Sequence, residues 1–468
     1  MSSQTPPPAP SPSPAQVDTP KKLWHVGTLT YTSAGLVTLF LWLLWGDFAW
    51  WMKERAVVPV GQLMLRQFGA SDFLVGLLVG SVPAAIGLIL GPIISVKSDN
   101  HRGPRGRRIP YMIVCTPFVA LSMFGLAGSG FIGDWFNTAL GASSPGQVTC
   151  RLLAFGFFWT TFEIFQTIVQ AIFYGLINDV VPSAVIGRFF GLFRAVSLFA
   201  GIVFNFWLIG YSESHYVAMC LGLGVLFGVG FTMMCFRVKE GEYPPPPPPG
   251  PTLTVSRRVL DPVKAYFKEC YTHPYYRWVF MAYTFGNIAF APVNSFSVFY
   301  AKSLGMNMDQ YGKLLVISFC VSLVISYPLG SLADKYHPIR LGVVSLAAYA
   351  ATMLWGGSVA TTPALFSIAF VTHAIISGIF YTGTASLGQR LYPRAKFAQF
   401  FSAAGLVASI GFITIPPMLG AFLDSTGRVY RHSMYLGSGV ALLGAIIFFI
   451  VWQRYQKLGG DKGYSPPA

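Results

Sequence analysis

The chain has 468 residues, 53% of them hydrophobic and only 10% charged, with 32 Lys and Arg against 17 Asp and Glu for a net charge of +15. Soluble domains carry about a quarter charged residues, and the mean hydropathy here is +0.56. This composition excludes a soluble enzyme or a basic nucleic-acid-binding protein and indicates an integral membrane protein.

A bilayer core about 30 Å thick is crossed by roughly 20 apolar residues in a helix. Such segments recur at approximately 33–56, 72–95, 109–131, 152–177, 189–210, 215–236, 274–300, 311–333, 339–358, 363–388, 398–422 and 434–453. The expected fold is therefore an all-α membrane protein of twelve transmembrane helices. On that reading 23 Lys and Arg fall on one side, eight on the other, and Arg277 lies inside span seven. The excess of basic residues marks the cytoplasmic side and places both termini there, against the anionic lipid of a cell or bacterial inner membrane.

Residues 1–30 begin MSSQTPPPAPSPSPAQVDTPKK and read as a disordered Pro-rich tail. Span one ends in LLWGDFAWWMKER. Asp47, Trp50 and Glu54 share one helix face, and Trp51 and Arg55 the adjacent one. A charge inside the bilayer is retained mainly where it faces a cavity or a partner. Asp47 is the candidate for substrate or proton binding, with Trp50 and Glu54 beside substrate. Lys53 and Arg55 are expected near the outer interface, snorkelling to the surface.

Span two carries Gly76, Gly80, Gly87 and Gly91 on one face, a small-residue stripe for packing or for sliding. The loop after it, GPIISVKSDNHRGPRGRRIPY, holds Asp99, Arg102, Arg105, Arg107 and Arg108. Its charges serve either as a gate on the cytoplasmic side or as a topology anchor alone.

Span four places Trp159, Glu163, Gln166 and Gln170 on one face. A carboxylate, two amides and an indole suit a polyhydroxylated ligand, the ring taking the C–H face of a sugar. Glu163 is also a candidate proton carrier, or a buried partner of Arg194 in span five; a Glu–Arg pair broken by protonation would serve both purposes. Asp179 and Arg188 follow in DVVPSAVIGRFFGLF.

Residues 237–273 contain six consecutive prolines, Pro244 to Pro249, and read as a stiff linker. It separates a six-helix bundle at 31–236 from another at 274–455, and 456–468 form a second tail. The halves echo each other. Asp334 and Lys335 in GSLADKYHPIR lie where Asp99 lies in the first half, and Pro182 and Pro393 are 211 residues apart, as are Phe189 and Phe400. In the second half, Tyr283, Asn287 and Asn294 share a face of span seven, and span ten offers His373, Tyr381 and Thr384. His373 is either a satisfied core histidine or a proton carrier. Acidic groups in the first half and neutral polar groups in the second suggest coupling in one and part of the recognition in the other.

The Asp-then-Arg loop between spans two and three, its weaker copy between spans eight and nine, and the paired six-helix layout resemble the major facilitator superfamily of secondary transporters. The forms SDNHRGPRGRRIPY and INDVVPSAVIGR resemble its sugar:cation symporter branch, the sucrose/maltose and glycoside–pentoside–hexuronide carriers. The resemblance implies the major facilitator fold and a cytoplasmic gate built on Asp99, Arg105, Arg107, Arg108, Asp179, Arg188, Asp334 and Lys335. It implies a proton-coupled sugar symporter; sodium is the alternative ion, although the paired Asp of melibiose-type carriers is missing from span two.

No H-E-x-x-H, G-x-S-x-G or P-loop pattern occurs, so an enzyme is not expected. The six cysteines have neither metal-site nor disulfide spacing. No cofactor or metal is expected; the partners are a small solute, lipid and no nucleic acid, for a monomer. An exporter or drug:proton antiporter would share the fold, as would a non-transporting sensor.

Overall fold

The computed structural model describes residues 23–182, 185–245, 264, 266–393 and 396–467, with side chains for all of these except 92, 95, 96, 186–188, 191, 323, 326–334, 397, 398 and 462. The chain is a multi-pass, all-helical membrane protein. Among the described residues ten helices are long and apolar enough to cross a membrane.

In the first half these are α1 (Ser33–Gln67), α2 and α3 (Asp72–Val75 and Val82–Asn100, joined by a π-helical turn at Gly76–Ser81), α4 (Ile109–Leu140), α5 (Gln147–Val180), α6 (Ile186–Val203) and α7 (Tyr216–Arg237). The second half runs through α8 (Pro274–Ile288), α9 (Ala291–Ser303), α10 (Met308–Tyr336), α11 (Pro338–Val359), α12 (Pro363–Thr384), α13 (Leu387–Leu391), α14 (Phe397–Ser425) and α15 (His432–Lys457), before the short α16 (Gly460–Gly463). The predicted spans seven and eight fall on α8 with α9 and on α10.

Local chemistry sets the helix ends. Thr32 and Ser71 accept hydrogen bonds from Gly35 N and Leu74 N, and Asn307 with Gln310 forms a capping box at α10. Small residues let helices approach closely: a Cβ on Gly61 would lie 2.4 Å from the Trp159 ring, and one on Gly125 would lie 2.1 Å from Phe158.

Two sequence expectations change. The tail becomes ordered earlier than expected, because Trp24–Val26 and Leu29–Tyr31 pair as an antiparallel hairpin. Span one also extends to Gln67 rather than ending at 56, since Pro59 is accommodated within the helix. At 1.5 Å per residue α1 is roughly 50 Å long, and its midpoint is Trp50. Lys53, Glu54 and Arg55 therefore sit near the middle of α1 rather than at its end. Most of the proline run, Pro246 to Pro249, lies outside the described residues.

Candidate functional site

The two halves meet around a cavity of about 370 Å³. From the first half, Val58 and Gln62 of α1 and Gly76, Val79, Gly80, Pro83 and Ala84 of the second span form its wall. Asn287, Asn294, Ser295, Tyr381, Phe412 and Pro416 face them from the second half. Three predicted residues, Asn287, Asn294 and Tyr381, thus converge on one space; Tyr283 lies a turn before Asn287, with Asn287 Nδ2 donating to its carbonyl at 2.7 Å.

Asn294 Oδ1 sits 3.0 Å from His373 Nε2, and Tyr349 Oη sits 2.7 Å from His373 Nδ1. Both nitrogens of this buried histidine are engaged, so it orients Asn294 from behind the wall. Gln62 donates to the Ser295 carbonyl at 3.0 Å and bridges the halves. Gln62 was not foreseen, because the sequence reading ended span one too early; a glutamine in the apolar run AVVPVGQLML was the available signal.

A buried charged group lies within the first half. Lys53 is completely enclosed: its Nζ pairs with Glu54 Oε2 at 3.1 Å, donates to Gln166 Oε1, and stands 3.8 Å from the centroid of the Trp50 ring. Lys53 thus does not snorkel. Burial of an ammonium is tolerated where a carboxylate, an amide oxygen and ring faces replace water. Glu163, 4% exposed, lies within electrostatic reach of Lys53 and Glu54.

The expected Glu163–Arg194 partnership is replaced by this one. Arg194 is exposed and lies near Arg55 instead. Arg55 is half-buried; it stacks between Trp51 and Phe319, 4.9 Å from each ring, and reaches Ser197 Oγ at 3.5 Å.

Asp47 is fully buried, and neither carboxylate oxygen has a hydrogen-bond partner. The indole of Trp51, one turn on, is near it, yet the two make no bond of normal geometry. Trp50 packs on Phe227 and Phe231. Trp159 donates its Nε1–H to the Leu78 carbonyl at 2.8 Å and stacks on Phe155. Both indoles serve packing in this conformation, leaving Trp51 as the partly exposed ring of the three. Gln170 is exposed.

Fold and cavity can now be set beside known proteins. Residues 279–466 match the family model described as the Major Facilitator Superfamily. The match lies in the second half of the chain and spans less than half of its length. A curated relative, the MFS transporter asaE of Aspergillus flavus, is 29% identical over 174 residues, 36% of this chain and 38% of the relative's length. Among solved structures, an inward-facing, unoccupied bacterial homolog of the human lysosomal transporter Spinster superposes with a TM-score of 0.67 at 14% identity, covering 93% of this chain and 100% of that one. A D-xylose-proton symporter gives 0.60 at 15% identity, covering 88% and 97%. Such identities speak to the major facilitator fold alone.

The predicted gate loop forms a closed network, but within one half. Arg107 makes a bidentate pair with Asp179 at 2.9 and 2.6 Å, and Arg108 bonds Asp179 Oδ2 at 3.1 Å, Asp99 Oδ1 at 2.5 Å and Ser98 Oγ at 2.7 Å. Arg102 donates to the Pro244 carbonyl at 2.8 Å, and Arg105 lies over Phe236. Glu240, not foreseen, caps α4 by accepting from the amides of Arg107, Arg108 and Ile109 at 2.7–3.0 Å. Tyr243 donates to the same carboxylate, and burial followed by that bond raises its phenol well above the usual range. In the weaker copy Lys335 is exposed beside Tyr336. The side chains of Arg188 and Asp334 lie outside the described residues.

Polar contacts between the halves gather at the face opposite the termini. They include Ser81 to the Ile413 carbonyl at 2.5 Å and Lys302 to Glu213 at 3.1 Å. At the terminal face, the hydrogen bonds described stay within one half or join it to the linker. The glycine stripe divides accordingly: a Cβ on Gly76 or Gly80 would strike Pro416 at 2.4 or 2.7 Å, whereas Gly87 and Gly91 face open space.

Proposed function

We propose that the chain is a secondary transporter that carries a small uncharged solute, a sugar first of all, by alternating access of its two bundles about the central cavity. The observation that carries this reading is the cavity itself. It is shared by both halves, furnished with the amides of Gln62, Asn287 and Asn294 and the phenol of Tyr381, and joined tightly only towards one face. Amides offer donors and acceptors together, which suits hydroxyls. A D-xylose-proton symporter shares the fold, which makes a sugar the first substrate to test.

Coupling is assigned to the buried group in the first half. Lys53 pairs with Glu54, Glu163 lies within electrostatic reach of both, and Asp47, two turns earlier on α1, is buried with neither oxygen hydrogen-bonded. Taking a proton onto Glu163 removes one negative charge from beside the Lys53–Glu54 pair, a change in local charge that differs between loaded and unloaded forms. Proton symport follows, with sodium as the alternative ion. Both termini are assigned to the cytoplasm, which makes this conformation inward-facing.

A second reading, an exporter or drug:proton antiporter, is favoured by the apolar share of the same wall: Val58, Val75, Val79, Pro83, Ala84 and Phe412. Proteoliposomes distinguish the two. Addition of one member of a mono- and disaccharide panel, with and without sodium, should alkalinise the outside as protons enter with the sugar. Silence across the panel, with proton release driven by apolar amphiphiles, would overturn the sugar reading in favour of export.

A further inference from the structure

We propose that Asp424 is a helix cap supplied by the second half to the first, and that this cap together with the Asp72–Tyr430 contact is the latch that opens when the cavity turns to the far face.

Asp424 lies in the last turn of α14, where a carboxylate faces the negative end of its own helix dipole. That placement is unfavourable for α14 and favourable for another helix. Its Oδ1 accepts from Asp72 N at 3.1 Å and its Oδ2 from Phe73 N at 2.9 Å, the first amides of span two. First-turn amides have no partner within their own helix. Ser71 of the same half reaches only Leu74 N, at 3.2 Å. Capping of span two is therefore divided between the halves.

The side chain of Asp72 completes the junction. It is fully buried, paired with Arg66 at 2.9 Å and with Arg428 at 3.9 Å, and accepts from the Tyr430 hydroxyl at 3.2 and 3.3 Å. Arg66 also donates to that hydroxyl, and Arg428 lies 3.5 Å from Asp424. Two cations and two anions thus balance across the seam. The backbones are in close approach as well: a Cβ on Gly420 would lie 2.2 Å from the Asp72 carbonyl oxygen. So close a fit cannot widen gradually. Separation exposes two helix amides and a buried carboxylate together, which makes the junction bistable rather than elastic.

The latch's place in a transport cycle rests on the transporter reading, so its test is conformational and needs no solute. Spin labels at Ala142 and Thr361, exposed on the far face of opposite halves, report the separation in full-length protein in lipid nanodiscs. Asp424→Ala should raise the ratio of far-face-open to far-face-closed forms about tenfold, the change when roughly 1.4 kcal/mol is lost from one state only. Asp424→Asn, which keeps one acceptor oxygen, should fall between. Tyr430→Phe removes a single hydroxyl and should shift the ratio in the same direction, deciding the matter should Asp424→Ala not fold. An unchanged distance distribution in a folded variant overturns the latch. A sugar panel without response would leave that result intact and count only against the transport reading.

Discussion

Lys53 and Glu54 form a 3.1 Å ion pair in which the lysine has no exposed surface and the glutamate keeps 30% of its own. Sequence neighbours in an α-helix point about 100° apart, so this pair exists because Gln166, Trp50 and Phe162 close around the ammonium from three sides. Removing the lysine leaves Glu54 without its ion pair and takes the nearby positive charge from Glu163. Lys53→Met should cost about 2–3 kcal/mol, below the 3–5 of a fully enclosed pair because Glu54 is partly solvated. Thermal unfolding in detergent measures it, and Lys53→Met with Glu54→Gln should recover part of the loss.

Glu163 is the proton-carrying candidate. Glu163→Gln should abolish proton-driven accumulation while sparing solute exchange across the membrane. Full concentrative uptake by this variant removes Glu163 from the coupling role.

Asp47, buried with both oxygens unsatisfied, gives a separate prediction. Asp47→Asn should raise the half-saturation concentration for transport severalfold. An unchanged value would assign the residue to something other than solute binding.

The glycine stripe should respond unevenly. Gly76→Ala puts a methyl group into the Pro416 carbonyl, an overpacking worth about 1–3 kcal/mol, and should slow transport by loosening the closed seam. Gly87→Ala meets open space in this conformation and should leave stability unchanged. If Gly87→Leu transports normally, the inner half of the stripe is not a contact surface in the alternate state.

His337, in the tight turn between α10 and α11, has its pKa lowered to about 4, chiefly by burial. The folded protein therefore holds it neutral where the unfolded chain would protonate it, at the usual value near 6.5. Its contribution to stability is complete above that value and is lost as pH falls from there towards 4. The melting temperature should drop across this window, and His337→Asn should flatten the drop. An unaltered slope in the variant excludes His337 as its source.

The helical fold was largely legible in the sequence, because spans of about 20 apolar residues are features of composition that the bilayer enforces. Asn287 and Asn294 were named from helical spacing and Tyr381 as a polar residue of span ten, and all three line one wall. Partnerships across helices were not legible. Glu163 was matched with Arg194 because both are charged and intramembrane, yet Lys53, assigned to the interface, occupies that place. The error came from the length of α1: ending it at 56 moved Lys53 from the middle to the edge and hid Gln62 entirely. Trp159 met every sequence criterion for a sugar-stacking ring, but Gly61 opposite it leaves a gap that only a large side chain fills.

The cavity wall contains three interruptions of regular helix: the π turn at Gly76–Ser81, the break before Ala291 and the Pro416–Pro417 pair. Each removes main-chain groups from the regular i to i−4 ladder, and irregular backbone is tolerated at membrane depth where it borders a polar space. The chamber thus presents peptide dipoles that an inventory of its side chains omits, and it is more hydrophilic than Val, Pro and Phe suggest. Recognition by main-chain oxygen and nitrogen survives side-chain replacement, so an alanine scan of this wall should understate the affinity for the hydroxylated solute proposed above.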